Sequence, residues 1–154
     1  MIKKFTTISA QQTEELGERL GKNLPQTIAI ELVSDLGGGK TTLTKGLARG
    51  LGYGDEVTRP TFTISRVYKL PDSRELHHFD LYRLDGTDVA TDDLLDSVDQ
   101  KNIITVIEWP GSLGDKLPKD RLIIKFDVTG DDVRSIIVES KGEVSDKILA
   151  ELVQ

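Results

Sequence analysis

Apolar residues along the chain recur with two different periods, and the changes between them mark out the elements. Ile2 to Thr7 reads as a short strand. Ser9 follows it as a helix cap, with Gln12 placed to reach back to the helix start. The helix then runs through Leu16 and Leu20 and is expected to weaken at Gly21. Thr27 to Val33 is β-branched and apolar, interrupted only by Glu31, which is the pattern of a mostly buried strand. Leu43, Leu47 and Leu51 recur at i, i+4 and i+8, so they share one helical face, and Gly52 and Gly54 end that helix. Phe62 to Leu70 and Glu75 to Leu81 flank Pro71-Asp72-Ser73, a turn sequence that predicts a hairpin. The acidic stretch Asp85 to Asp99 predicts a solvated helix or loop. Ile103 to Ile107 predicts a second buried strand. Leu122 to Val128 and Val133 to Ser140 form a second predicted hairpin across Thr129-Gly130-Asp131-Asp132, and Glu143 to Val153 a closing helix. Strands outnumber the helices between them, so an α/β domain with a mixed sheet is expected.

Length and composition narrow the class. At 154 residues, with no repeat and no linker-like segment, residues 1–154 are expected to form a single domain. There is no cysteine, which excludes disulfides and fits a reducing compartment. No apolar run approaches the roughly 20 residues that span a bilayer, and no signal-peptide pattern follows Met1, so a cytoplasmic protein is the default expectation. The net charge is −6, and no cluster of Lys and Arg forms the basic stripe that nucleic-acid binding requires. DNA and membrane are therefore not expected as partners, and any link to RNA is expected through another protein.

The strongest chemical signal is Ser34-Asp35-Leu36-Gly37-Gly38-Gly39-Lys40-Thr41-Thr42, between a predicted strand and a predicted helix. This is the setting of a phosphate-binding loop. Successive glycines let backbone N–H groups converge on one point without side-chain obstruction. The following helix adds roughly half a positive charge at its N-terminus. Lys40 would reach the β- and γ-phosphates, and the Thr41 hydroxyl would ligate Mg2+. Ser34 departs from the general pattern, which has Gly at that position. A turn that merely packs tightly is the alternative, and Gly-Lys-Thr at the helix start weighs against it.

Three further segments accompany the loop in order: Arg59-Pro60-Thr61-Phe62-Thr63-Ile64, His78-Phe79-Asp80-Leu81-Tyr82-Arg83-Leu84, and Ile107-Glu108-Trp109-Pro110. With the loop, they resemble the TsaE family over nearly the whole chain. These are small bacterial P-loop ATPases required for threonylcarbamoyl modification of adenosine 37 in tRNA. The family commonly has Gly where Ser34 stands and often Ala where Gly38 stands. The resemblance implies a P-loop NTPase-like three-layer fold, a central mixed β-sheet flanked by helices. It also implies ATP and Mg2+ as cofactors, and TsaB-TsaD-like partners beside which ATP hydrolysis supports repeated turnover, with tRNA engaged only indirectly.

Asp80 lies at the end of a predicted strand and Glu108 closes the apolar run Ile103 to Ile107, where ligands of open α/β sheets bind. An unpaired buried carboxylate costs several kcal/mol, so each needs a counterpart, either a metal-bound nucleotide or a salt bridge. By resemblance, Thr41 and Glu108 are assigned to Mg2+, with Asp80 as a further Mg2+-shell or water-orienting group; Lys40, Asp80 and Glu108 form the catalytic set. The resemblance also places Ser9 and Arg134 near the nucleotide base, beside Asp35, Leu36, Gly37, Gly38, Gly39, Lys40, Thr41 and Thr42. Thr61 and Thr63 stand either in a switch-like segment or as ordinary strand threonines. Trp109, the single Trp, stands either near the nucleotide or a partner, or in the core. His77 and His78 are expected to face opposite sides of a strand and not to bind metal. Arg83 is read as a partner for nearby acids.

Three functions remain in competition: an ATPase, slow alone because no arginine finger is evident; a small-molecule or nucleotide kinase, which would need cationic groups over the transferred phosphoryl; and a nucleotide-gated binding module without required hydrolysis. The guanine-reading Asn-Lys-x-Asp sequence is absent.

Overall fold

A computed structural model describes residues 1–35, 37–57, 65–82 and 89–153. Its strands are β1 (Ile2–Thr7), β2 (Ile28–Val33), β3 (Ser65–Lys69), β4 (Glu75–Asp80), β5 (Ile103–Glu108), β6 (Leu122–Val128) and β7 (Arg134–Ser140). They form one sheet in the order β1-β7-β6-β2-β5-β4-β3. β2 runs parallel to β5 and β6, and β4 parallel to β5; β3 pairs antiparallel with β4 at one edge, and β7 with β6 and β1 at the other. The mixed sheet is the one expected. Its parallel centre explains the near-continuous apolar runs: all six positions of β5 and the first five of β2 are buried.

The two faces of the sheet are covered by different helices. Ile30, Leu32, Ile104 and Ile124 pack with Leu16 and Leu20 of α1 (Ala10–Lys22), Leu43 and Leu47 of α2 (Lys40–Gly50), and Ile148 and Leu149 of α4 (Glu143–Glu151). On the other face Ala29, Phe79 and Ile107 pack with Leu94 and Val98 of α3 (Val89–Val98), and with Leu113 and Leu117 at a short 3-10 helix, Gly111–Lys116. Each such side chain, once buried, contributes about 1.5–3 kcal/mol. Glu31, the polar interruption in β2, is buried and lies 3.4 Å from the Arg121 guanidinium.

α1 and α2 approach unusually closely, and glycines make this possible. A Cβ on Gly17 would lie 2.2 Å from the Leu43 carbonyl oxygen, and one on Gly46 would lie 1.8 Å from that of Glu14. Gly21 and Gly50 stand against the partner backbone in the same way. α1 ends at Lys22, one residue past Gly21, close to where the sequence predicted it would weaken, and Gly21 serves there as a contact with the α2 backbone. Arg49 of α2 clasps the pair by bonding Glu14 at 2.8 Å and Glu18 at 3.2 Å.

Three other expectations are refined. Ser9 does cap α1, accepting from the Gln12 N–H at 3.1 Å, but the Gln12 side chain accepts from Ile8 and not from Ser9. The acidic stretch contains an amphipathic helix, α3, whose Leu94 and Val98 are buried; its many carboxylates obscured this apolar stripe. A 3-10 helix, for which the sequence pattern made no prediction, follows Pro110 at Gly111–Lys116.

Candidate nucleotide-binding site

The loop after β2 emerges at the centre of the sheet, at the carboxyl ends of parallel strands β2, β4 and β5, where open α/β folds place ligands. Left-handed backbone at Gly37 (φ 78°) and Gly39 (φ 105°) turns the chain from strand to helix. The first amides of α2 then have no acceptor within the helix and point out of its N-terminus. Residues 37–42, Glu108 and Arg134 surround a cavity of about 240 Å3. Arg134 arrives from β7 and donates to the Gly37 carbonyl at 3.4 Å. A larger cavity, about 630 Å3, lies on the other side of the loop against Glu31, Trp109 and Arg121. It is not lined by residues 37–42, which border the smaller one.

Lys40 is almost fully buried. Its ammonium donates to the carbonyls of Ser34 at 3.1 Å and Asp35 at 3.4 Å, and lies 4.0 Å from the centre of the Trp109 ring. Trp109 itself stands in left-handed backbone, φ 57°, an arrangement costing on the order of 1–3 kcal/mol for a residue with a Cβ. Its ring also packs on Tyr82, with centroids 4.9 Å apart.

Glu108 is 1% exposed and its Oε2 accepts from His78 Nε2 at 2.6 Å. Asp80 lies opposite Glu108 in the β4–β5 register and accepts the Tyr82 N–H at 3.1 Å. Asp80 does not line the 240 Å3 cavity, whereas Glu108 does. A Thr41 hydroxyl and one or two carboxylates are what Mg2+ ordinarily takes from protein when phosphates and water complete its shell, so this donor set fits that ion.

Of the other candidate residues, Gly37, Gly38, Gly39, Lys40, Thr41, Thr42 and Arg134 are brought together around the cavity. Asp35 lines the larger one, its carbonyl turned to Gly38 and Lys40. Ser9 caps α1 and is not part of the lining. Leu36, Thr61, Thr63 and Arg83 lie outside the described residues. His77 and His78 do face opposite sides of β4: His77 bonds Ser97 at 3.0 Å and Glu75 at 2.9 Å, and His78 bonds Glu108. The contact between His78 and Glu108 could not be foreseen from the sequence, because it depends on strand neighbours 30 residues apart.

Comparison with known proteins agrees with this geometry. A family model described as "Threonylcarbamoyl adenosine biosynthesis protein TsaE" matches residues 7–136. A protein of Streptomyces coelicolor named tRNA threonylcarbamoyladenosine biosynthesis protein TsaE is 42% identical over 84% of this chain and 90% of its own. Its namesake in Bacillus subtilis is 34% identical over 97% of this chain and 92% of its own. The crystal structure of Bacillus subtilis YdiB superposes with a TM-score of 0.77 at 31% identity, covering 99% of this chain and 94% of that one. The sheet order, the glycine loop and these matches converge on one assignment: the chain belongs to the TsaE family.

Proposed function

We propose that this protein is a Mg2+-dependent ATPase that supports threonylcarbamoyl modification of tRNA adenosine 37, working beside TsaB-TsaD-like partners. The observation that carries the ATPase reading is the 240 Å3 cavity in which the glycine loop, Lys40, Thr41 and Glu108 converge. The pathway follows from family membership and from what the relatives are named for.

In this reading the amides at the start of α2 cradle the phosphates, and Lys40 leaves the Ser34 and Asp35 carbonyls to pair with the β- and γ-oxygens. Thr41 and Glu108 would hold Mg2+, with Asp80 as a further Mg2+-shell or water-orienting group. Bound Mg2+ supplies neutralisation of the charge that develops on the phosphate oxygens. Arg134, already on the Gly37 carbonyl, borders the nucleotide on the β7 side. Catalysis here is positioning and charge stabilisation, and since no arginine finger, worth a factor of about 10³–10⁵ in related systems, is evident in the sequence, turnover of the isolated protein is slow.

The test is ATP turnover measured alone and with TsaB and TsaD proteins, for wild type and Lys40→Ala. Stimulation by the partners and loss in the variant are expected. Unchanged turnover in Lys40→Ala would remove the mechanism, and a phosphorylated metabolite in place of free phosphate would make the protein a kinase.

A further inference from the structure

The roles above leave one buried group of the site without a function, the imidazole of His78. His78 is 0% exposed and its Nε2 lies 2.6 Å from Glu108 Oε2. A carboxylate can only accept here, so the hydrogen resides on Nε2. Nδ1, also buried, has no hydrogen-bond partner among the described residues, so the bond to Glu108 is the hydrogen bond by which the ring is held. Oε2 of Glu108 is thus committed to His78. Among the described residues Oε1 has no hydrogen-bond partner, and Glu108 lines the cavity formed by residues 37–42.

A glutamate at the end of a strand has a terminal torsion that is broad and roughly two-fold. The bond to His78 removes that freedom by holding one oxygen and leaving the other for the cavity. We infer that His78 is a positioning residue, which orients Glu108 so that Oε1 alone is presented to a divalent ion bound beside Thr41. The inference rests on the reading of Glu108 as a Mg2+ ligand. The device is reproduced in many metal sites, where the hydrogen bond behind a ligand sets its orientation and basicity. His77, the next residue, bonds Ser97 and Glu75 on the other face of β4 and provides an internal comparison.

The experiment is a Mn2+ titration followed by EPR, with a non-hydrolysable ATP analogue present, for wild type, His78→Leu, His78→Gln and His77→Gln. Analogue binding in EDTA and thermal melting are measured alongside. Removing the donor in His78→Leu is expected to weaken Mn2+ binding about 10–100-fold, with binding of the analogue in EDTA unchanged. His78→Gln, which returns an N–H near the position of Nε2, is expected to recover most of the loss, and His77→Gln to match wild type. If His78→Leu does not fold, His78→Asn carries the same expectation, because its shorter side chain withdraws the donor from Oε2. Wild-type Mn2+ affinity in folded His78→Leu would overturn the inference and leave the proposed function standing. Equal loss of metal and metal-free nucleotide binding, unrescued by Gln, would overturn it as well, since that is general damage to the fold. Wild-type protein that binds the analogue but no Mn2+ would overturn the assignment of Glu108 itself, and the inference with it.

Discussion

Ser34 and Gly38 compete for the same space inside the glycine loop. A Cβ on residue 38 would fall 1.7 Å from Ser34 Oγ and 2.8 Å from Ser34 Cβ. Rotating the hydroxyl relieves the first clash but not the second, so a side chain at 34 and one at 38 exclude each other. The Ser34 hydroxyl meanwhile donates to the Asp35 carbonyl at 2.6 Å, inside the turn. Gly38→Ala is therefore expected to destabilise by about 1–3 kcal/mol through overpacking. Ser34→Gly in the same chain should recover most of that, giving a coupling of about 1 kcal/mol or more in a double-mutant cycle read by denaturant melts. Additive effects would show that the two positions are independent.

At the scale of elements, two helices owe their placement to groups far away in sequence. The crossing of α1 and α2 tolerates no side chain at Gly46, whose Cβ would meet the Glu14 carbonyl oxygen at 1.8 Å. On an isolated helix Gly46→Ala would gain about 1 kcal/mol; here it is expected to cost about 1–3 kcal/mol, because neither backbone can retreat without unpacking Leu16 or Leu43. A melting curve raised by the substitution would refute that packing argument. α4 begins with Gly142 at its N-cap, and the side chain that satisfies its first amides is Asp120, which accepts from Val144 at 2.7 Å and Ser145 at 2.9 Å. Partial burial pushes the Asp120 carboxyl up, but donation from Ser145 and Val144 outweighs it and leaves the group below its ordinary value. A carboxyl lowered in the folded state stabilises the protein above the unfolded pKa, about 3.9, and loses that contribution as pH falls through the lower, folded value. Asp120→Ala should thus cost about 0.5–2 kcal/mol at pH 7, as other cap losses do. The gap from wild type should close below about pH 4; a gap independent of pH would assign the loss to packing.

For the whole molecule, the carboxyl edge of the parallel strands is where independent parts of the chain meet: the loop after β2, Asp80 of β4, Glu108 of β5 and Arg134 of β7. A ligand there bridges the sheet centre to α2, so binding is coupled to global stability. ATP with Mg2+ at a hundredfold excess over its dissociation constant is expected to stabilise the fold by about 2.7 kcal/mol, a rise of several degrees in Tm. Lys40→Ala should lose that rise, and an equal rise in both proteins would place the ligand elsewhere. Much of this was legible in the chain. Apolar runs located the central strands, the Leu43 to Leu51 period located α2, and the glycine run ahead of Lys40 and Thr41 located the turn between β2 and α2, because each signal lies within a few consecutive residues. The apolar stripe of α3, the placement of α1 against α2 and the cap on α4 were not legible, since composition masks the first and distant contacts set the others. The amino-acid order alone singled out the loop that is expected to grip a phosphate. Strand order and register decided which carboxylate lines the cavity beside that loop, and that His78 bonds that carboxylate, because hydrogen bonds between strands join residues that the sequence leaves far apart.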